Sequence, residues 1–223
     1  MDATLSLFPL STVLMPGVTL RLHIFEDRYK HMVGQCIAGR APFGVVLDRN
    51  GQEAGDVDPV EVGTTAEIRE VTHLPQGRLF IVTRGVRRFE TQRVIGKTPF
   101  WTALVSYLDE PVGPSDAAHS LRETALERFK DYLQALLSVP GKDLEPLQLP
   151  EDPVAASYIV ADALQVETAA KQRLLESESA AQRLHEELKL LDDEIRRIRA
   201  THSAQRSAIR RMRAPFSTRF SLN

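Results

Sequence analysis

The chain has 223 residues, 43% of them hydrophobic and 26% charged, with a formal net charge of −2, one Trp and one Cys. That length supports one sizeable core or two small ones without metals or cross-links, and a single thiol excludes an internal disulfide framework. No apolar run approaches the roughly 18 residues of a membrane span, and Asp2, Pro9 and Pro16 interrupt the amino terminus in a way unlike a secretory signal. A soluble, cytoplasmic protein without membrane association is therefore expected.

The near-neutral total hides an asymmetry. All 30 acidic residues lie at or before Glu194, so residues 1–194, with 20 basic groups, carry −10, while residues 195–223 carry eight Arg and no acid. Such a tail can meet phosphates or an acidic partner. The simpler reading is that it neutralises its own acidic body.

Up to about residue 110, short apolar runs are punctuated by Gly and Pro, the pattern of strands and tight connections. Leu5–Leu10 is the first run. Val18–Ile24 sets Leu20, Leu22 and Ile24 against Thr19, Arg21 and His23, the period of two of a half-buried strand. A helix follows, because Phe25, Tyr29, Met32 and Cys36 form a stripe at helical spacing that would cap a barrel mouth, with Gly39 where the helix would stop. Phe43–Leu47 is continuously apolar, as in a strand covered on both faces. After a polar stretch with Asn50-Gly51 as turn signal, Val62–Val71 resumes strand character. Arg78–Thr83 and Arg87–Val94 then read as a hairpin around Arg84-Gly85-Val86, and Phe100–Leu108 is the last strand. Six or more short strands imply a small twisted barrel or sandwich.

From about residue 115 the period becomes helical. Ser115 or Asp116 can cap a helix carrying Leu121, Ala125, Phe129, Tyr132 and Leu136, with Pro140-Gly141 ending it. Residues 142–151 read as a loop. Asp152-Pro153 is a strong start signal, since the carboxylate accepts orphan amide hydrogens and Pro tolerates the first helical position; Ala156, Ile159, Val160 and Ala163 give that helix its apolar side. A short helix should bury Ala170, Leu174 and Leu175. Last, Leu184, Leu188, Leu191, Ile195 and Ile198 are spaced 4, 3, 4, 3, and the register continues through His202, Gln205, Ile209 and Met212. The preferred reading packs Leu184 to Ile198 on the earlier helices and lets the Arg-rich remainder fray; the alternative is a homodimer through this helix. The α+β chain thus divides into a barrel subdomain (1–112), a helical subdomain (113–205) and an Arg-rich tail (206–223).

Motifs for chemistry are few. There is no phosphate-cradling or dinucleotide glycine pattern and no G-x-S-x-G elbow. His23, His31, His73, His119, His185 and His202 have no close i, i+4 pairing, and no second Cys is present, so no metal site follows from spacing. Cys36 is read as a small core residue rather than a nucleophile assembled with His23 or His31. The basic stretch Arg84, Arg87, Arg88, Phe89 could contact nucleic acid, but its simpler reading is the solvated face of a strand. No catalytic residue, cofactor or metal ligand is assigned.

A resemblance adds to this. Leu7-Phe8-Pro9-Leu10, Met15-Pro16-Gly17, Ile24-Phe25-Glu26 with Arg28-Tyr29, Phe43-Gly44, Val62-Gly63-Thr64 with Ala66 and Ile68, Leu74-Pro75, Gly77-Arg78, Gly85 and Arg88-Phe89 resemble the amino-terminal substrate-binding domain of the Lon protease family. Asp152-Pro153, Lys171-Gln172, Leu174-Leu175-Glu176 and Arg183-Leu184 resemble its helical part, so the likeness spans about residues 5–195. It implies a PUA-like pseudo-barrel followed by a helical bundle. It also implies a member without the ATPase and Ser-Lys peptidase modules, hence not an enzyme but a module that binds unfolded or extended polypeptide, in the junction cleft or along a strand edge, as an adaptor in protein quality control or proteolysis. An RNA-associated PUA-like protein is the alternative, weakened by the −10 body. Pro9, Pro16, Gly17, Gly63, Gly85 and Glu26 are read as architectural, the glycines for backbone angles costly to other residues.

Overall fold

The computed structural model describes residues 2–50, 58–137 and 148–213. Six strands, β1 (Asp2–Leu10), β2 (Thr19–Ile24), β3 (Phe43–Leu47), β4 (Val62–His73), β5 (Leu79–Gly96) and β6 (Trp101–Tyr107), form one sheet. Its order is β2-β5-β4-β3-β1-β6, and a further β5–β6 pairing closes it on itself. Among the described residues only β1 and β3 run parallel. They can, because α1 (Asp27–Gly39) lies between them in sequence, giving the crossover that a parallel pair requires. Asn50-Gly51 lies partly, and Pro140-Gly141 wholly, outside the described residues.

The expected hairpin at Arg84-Gly85-Val86 is not there. β5 is a single strand of 18 residues that changes partner midway: Leu79 to Arg84 pair with β2, and Phe89 to Gly96 pair with β6. Gly85 marks the switch without turning the chain. Its N–H donates to the Val18 carbonyl (2.9 Å), its own carbonyl accepts from Gly17 (2.8 Å), and a Cβ there would stand 2.4 Å from the Met15 carbonyl oxygen. Glycine serves close approach at this point, not a turn. The same holds for Gly63, where a Cβ would meet the Val45 carbonyl at 2.4 Å and the Phe89 ring at 2.7 Å. Of the three glycines expected to need special backbone angles, Gly17 alone has positive φ, at +80°.

Helix α1 buries Tyr29, Met32 and Cys36 as expected, together with Val33. Phe25 precedes the helix and is 55% exposed, so the stripe begins one turn later than its spacing suggested. Glu26 is the N-cap residue, but its carboxylate takes Arg28 Nε (2.8 Å) instead of a helix amide. Gly39 is the last helical residue, and Arg40 beyond it adopts the left-handed conformation that reverses the chain.

Four helices follow: α2 (Ser115–Leu137), α3 (Pro153–Ala163), α4 (Thr168–Glu176) and α5 (Ala180–Arg213). Asp152 caps α3, accepting from Val154 N (3.2 Å) and Ala155 N (3.1 Å). Ile159 is exposed, and Tyr158 and Ala161 occupy core positions beside Ala156 and Val160. Ala170, Leu174 and Leu175 are all buried. On α5, Leu184, Leu191 and Ile195 are buried and Leu188 and Ile198 half-buried. The helix does not end at Ile198: its backbone is helical to Arg213, 34 residues in all, about 51 Å at 1.5 Å per residue.

The helical core is not separate from the sheet. Val13 and Met15, from the segment after β1, are buried among Phe129, Tyr132, Leu174 and Leu191, with Val18, Leu47 and Val62 packed at its margin. Replacing Gly63 by Ala should cost about 1–3 kcal/mol in chemical denaturation, since backbone and ring must both yield. Gly34→Ala, on the open side of α1 with nothing near its Cβ, should instead add up to about 1 kcal/mol.

Candidate functional site

Where sheet meets helices, β5 contributes Arg88, which is 2% exposed. All three of its guanidinium nitrogens donate. Nε donates to Glu110 Oε1 (2.8 Å), Nη1 to the carbonyls of Leu175 (2.7 Å) and Ser177 (2.8 Å), and Nη2 to the Asp109 carbonyl (3.0 Å). One planar group thereby ties the barrel, the connector after β6 and the end of α4, where helix carbonyls lack partners of their own.

A second guanidinium lies alongside. Arg183, on α5 and wholly buried, donates Nε to the Leu174 carbonyl (2.8 Å) and Nη1 to Ser157 Oγ (2.9 Å), and its Cζ stands 3.9 Å over the Tyr158 ring. Glu110 joins the two arginines: its Oε2 accepts from the Tyr158 hydroxyl (2.6 Å) and lies 3.9 Å from Arg183 Nη2, an ion-pair distance without a hydrogen bond. Burial raises the Tyr158 hydroxyl well beyond its ordinary range, and Arg183 partly opposes this. The connector also starts α5, because the Pro111 and Val112 carbonyls accept from Ala180 and Ala181 (both 3.0 Å). Every named contact here holds elements together. None leaves an activated nucleophile or base facing solvent.

Beside this clamp a cleft of about 650 Å³ opens between the end of β3 and α4, walled by Leu47, Asp48, Val60, Gln172, Arg173 and Glu176 among others. Gln172 bridges its floor, its amide nitrogen donating to the Val62 carbonyl (3.0 Å) and to Glu176 Oε1 (2.8 Å). Asp48 fixes the rim by accepting the Asn50 (3.2 Å) and Asp58 (2.9 Å) amides on Oδ1.

The comparisons with known proteins agree with this architecture. Residues 4–193 match the family model described as the ATP-dependent protease La (LON) substrate-binding domain. The chain belongs to the Lon substrate-binding domain family. It is 25% identical over 191 residues to the Lon protease of Bacillus thuringiensis, covering 84% of this chain and 24% of that protein, and 26% identical over 155 residues to that of Halothermothrix orenii, covering 68% and 20%. The chain thus spans about a quarter or less of these curated relatives. Among solved structures, the Lon N-terminal domain protein from Xanthomonas campestris superposes with a TM-score of 0.62 at 28% identity, over 84% of this chain and 98% of that one. The N-terminal domain of Mycobacterium avium complex Lon protease, at 17% identity and TM-score 0.64, shares the fold.

In this Lon substrate-binding domain the basic stretch of β5 is only in part the solvated face that its sequence suggested. Arg88 and Phe89 are buried, whereas Arg84 and Arg87 are exposed, with Arg87 stacked 4.4 Å over the Tyr107 ring. The helical half reaches β5 at Arg88, through the Leu175 and Ser177 carbonyls. Cys36 is buried, and burial pushes its thiol up, against thiolate formation. His31 pairs with Gln35 and faces Phe100, and His23 faces Phe25; neither meets Cys36. Among the described residues, no three His, Cys, Asp or Glu side chains converge as a metal site would require, and no helix is long and apolar enough to cross a membrane.

Sequence reasoning also missed Glu187, a carboxyl with no exposed surface and neither oxygen hydrogen-bonded. Burial holds it well above the usual carboxylate range; the attraction of Arg183, four residues earlier, opposes this and is the lesser influence. A raised acid contributes its stability below the ordinary Glu range and loses it as pH climbs toward the folded-state value. Glu187→Gln should therefore resemble the parent near pH 4 and gain on it as pH rises, with a slope of at most about 1.4 kcal/mol per pH unit. Urea denaturation across pH checks this, and a pH-independent difference would refute it. Arg88→Met should cost about 3–5 kcal/mol in the same assay, because Glu110 and three carbonyls lose their donor together. Arg88→Lys should recover little of it, since one ammonium cannot reach all four acceptors.

Proposed function

We propose that this domain recognises polypeptide: it holds unfolded or extended segments of other proteins that expose apolar side chains, and works by binding rather than by chemistry. The observation that carries the reading is the family match over residues 4–193, on a fold whose buried Arg88 and Arg183 are committed to holding the barrel against the helices. Recognition surfaces on such a rigid frame need no moving part, and a cleft between substructures is a common place for a ligand. In a cell, this activity would serve protein quality control as an adaptor, delivering segments to proteolysis or withholding them from it, in the cytoplasm.

An RNA-associated role gains no support from β5, where Arg88 is consumed internally. The extension of α5 to Arg213 supports a second reading, self-association through that helix, which light scattering on the intact chain and on one ending after Asp193 distinguishes. For the leading reading, fluorescein-labelled reduced, carboxymethylated lactalbumin titrated with the folded protein should show saturable anisotropy, with half-saturation below about 100 μM. Flat anisotropy up to that concentration would overturn it.

A further inference from the structure

In the closed part of the sheet every strand has two neighbours, but β2 pairs with β5 alone among the described residues. Its register leaves no ambiguity about which backbone groups are spare. Gly85 N–H donates to the Val18 carbonyl and Thr83 Oγ donates to the Leu20 carbonyl (3.0 Å), and Leu20, Leu22 and Ile24 stand opposite Thr83, Ile81 and Leu79. Antiparallel ladders alternate hydrogen-bonded and non-hydrogen-bonded pairs. The amides and carbonyls of Leu20, Leu22 and Ile24 therefore turn toward β5, and those of Thr19, Arg21 and His23 turn outward.

The side chains give this edge two different faces. Leu20 and Leu22 are half-buried at the margin of the apolar cluster of Ile24, Tyr29 and Ile81, so a strand laid beside them would extend that cluster. On the outer face Arg21 is exposed and has neither ion pair nor hydrogen bond among the described residues. Beyond His23, the exposed Phe25 ring lies 5.8 Å from the imidazole.

From this we infer that β2 is the docking edge for bound polypeptide: an extended segment adds as a seventh strand, hydrogen-bonded to the outward groups of Thr19, Arg21 and His23. Its apolar side chains alternate onto Leu20 and Leu22, and an acidic residue sits opposite Arg21. Backbone pairing supplies affinity that tolerates many sequences, and the alternating faces supply preference. The inference rests on the polypeptide-binding reading above and names its site.

Arg21→Pro tests it, because proline deletes an outward amide while leaving every β2–β5 bond intact, the placement that edge strands tolerate. Arg21→Ala keeps the amide and loses only the charge. With the labelled lactalbumin, Arg21→Pro should weaken binding at least about tenfold, a loss of the size expected when a buried acceptor loses its donor, and Arg21→Ala less than about threefold, as for a rim charge. Circular dichroism melts of both variants establish folding. Independently of any variant, amide exchange by NMR should show new protection at Thr19, Arg21 and His23 on adding the polypeptide, an every-second-residue pattern that strand addition produces. Undiminished binding by folded Arg21→Pro, or protection that skips these amides, would overturn the edge while leaving polypeptide binding standing. A parent protein that binds nothing would remove both. A parent dimer that Arg21→Pro dissociates, with lactalbumin binding unchanged, would assign the edge to self-association instead.

Discussion

The architecture depends on two guanidinium groups kept charged inside the protein. Arg88 and Arg183 are 2% and 0% exposed, and stripping water from such ions is costly unless geometry returns the loss through hydrogen bonds. Here it does so by a division of labour. Arg88 spends its donors on Glu110 and on carbonyls of the connector and the end of α4, while Arg183 binds the Leu174 carbonyl and Ser157 and lies over Tyr158. Apolar packing alone would hold sheet and helices together without fixing their relative position. The planar, multi-donor guanidinium adds direction, since its partners must come from specific elements at specific angles.

That arrangement spends most of the junction's charged donors on contacts between elements. A group that is to act on a substrate needs an unfilled valence toward solvent, and the junction's charges have almost none. Two charged side chains there keep buried atoms without hydrogen-bond partners, Arg183 at Nη2 and Glu187 at both carboxyl oxygens, and burial holds the Glu187 carboxyl above the usual carboxylate range. Outward-facing features include the backbone along β2 and the cleft beside α4. A rigid frame also lowers the ordering cost of such binding, because the receptor has little freedom left to lose.

Much of this was legible in the sequence, and the limits are instructive. Alternation in Val18–Ile24, the unbroken apolar run Phe43–Leu47, the Asp152-Pro153 cap and the Leu184 to Ile198 spacing are local signals that depend on the nearest neighbours in the chain, and each led to a real element. Gly85 misled because glycine has two uses. Positive φ and the absence of a Cβ look identical in a sequence, and only the passage of Met15 past the strand reveals the second. Phe25 misled in another way, since a helical stripe read by spacing does not say where the helix begins.

The sequence by itself determined the order and type of the elements, because hydrophobic periodicity and capping act over a few residues. It determined, too, the family resemblance that the comparisons bear out. The tertiary structure alone decided that Arg88 is interior rather than solvated, that one long strand changes partner at Gly85, and that β2 is left with a free edge. Each of these follows from which distant segment packs against a given face, and a strand's own side-chain pattern is the same whether its outer face meets water or the carbonyl ends of a helix 87 residues away in the chain.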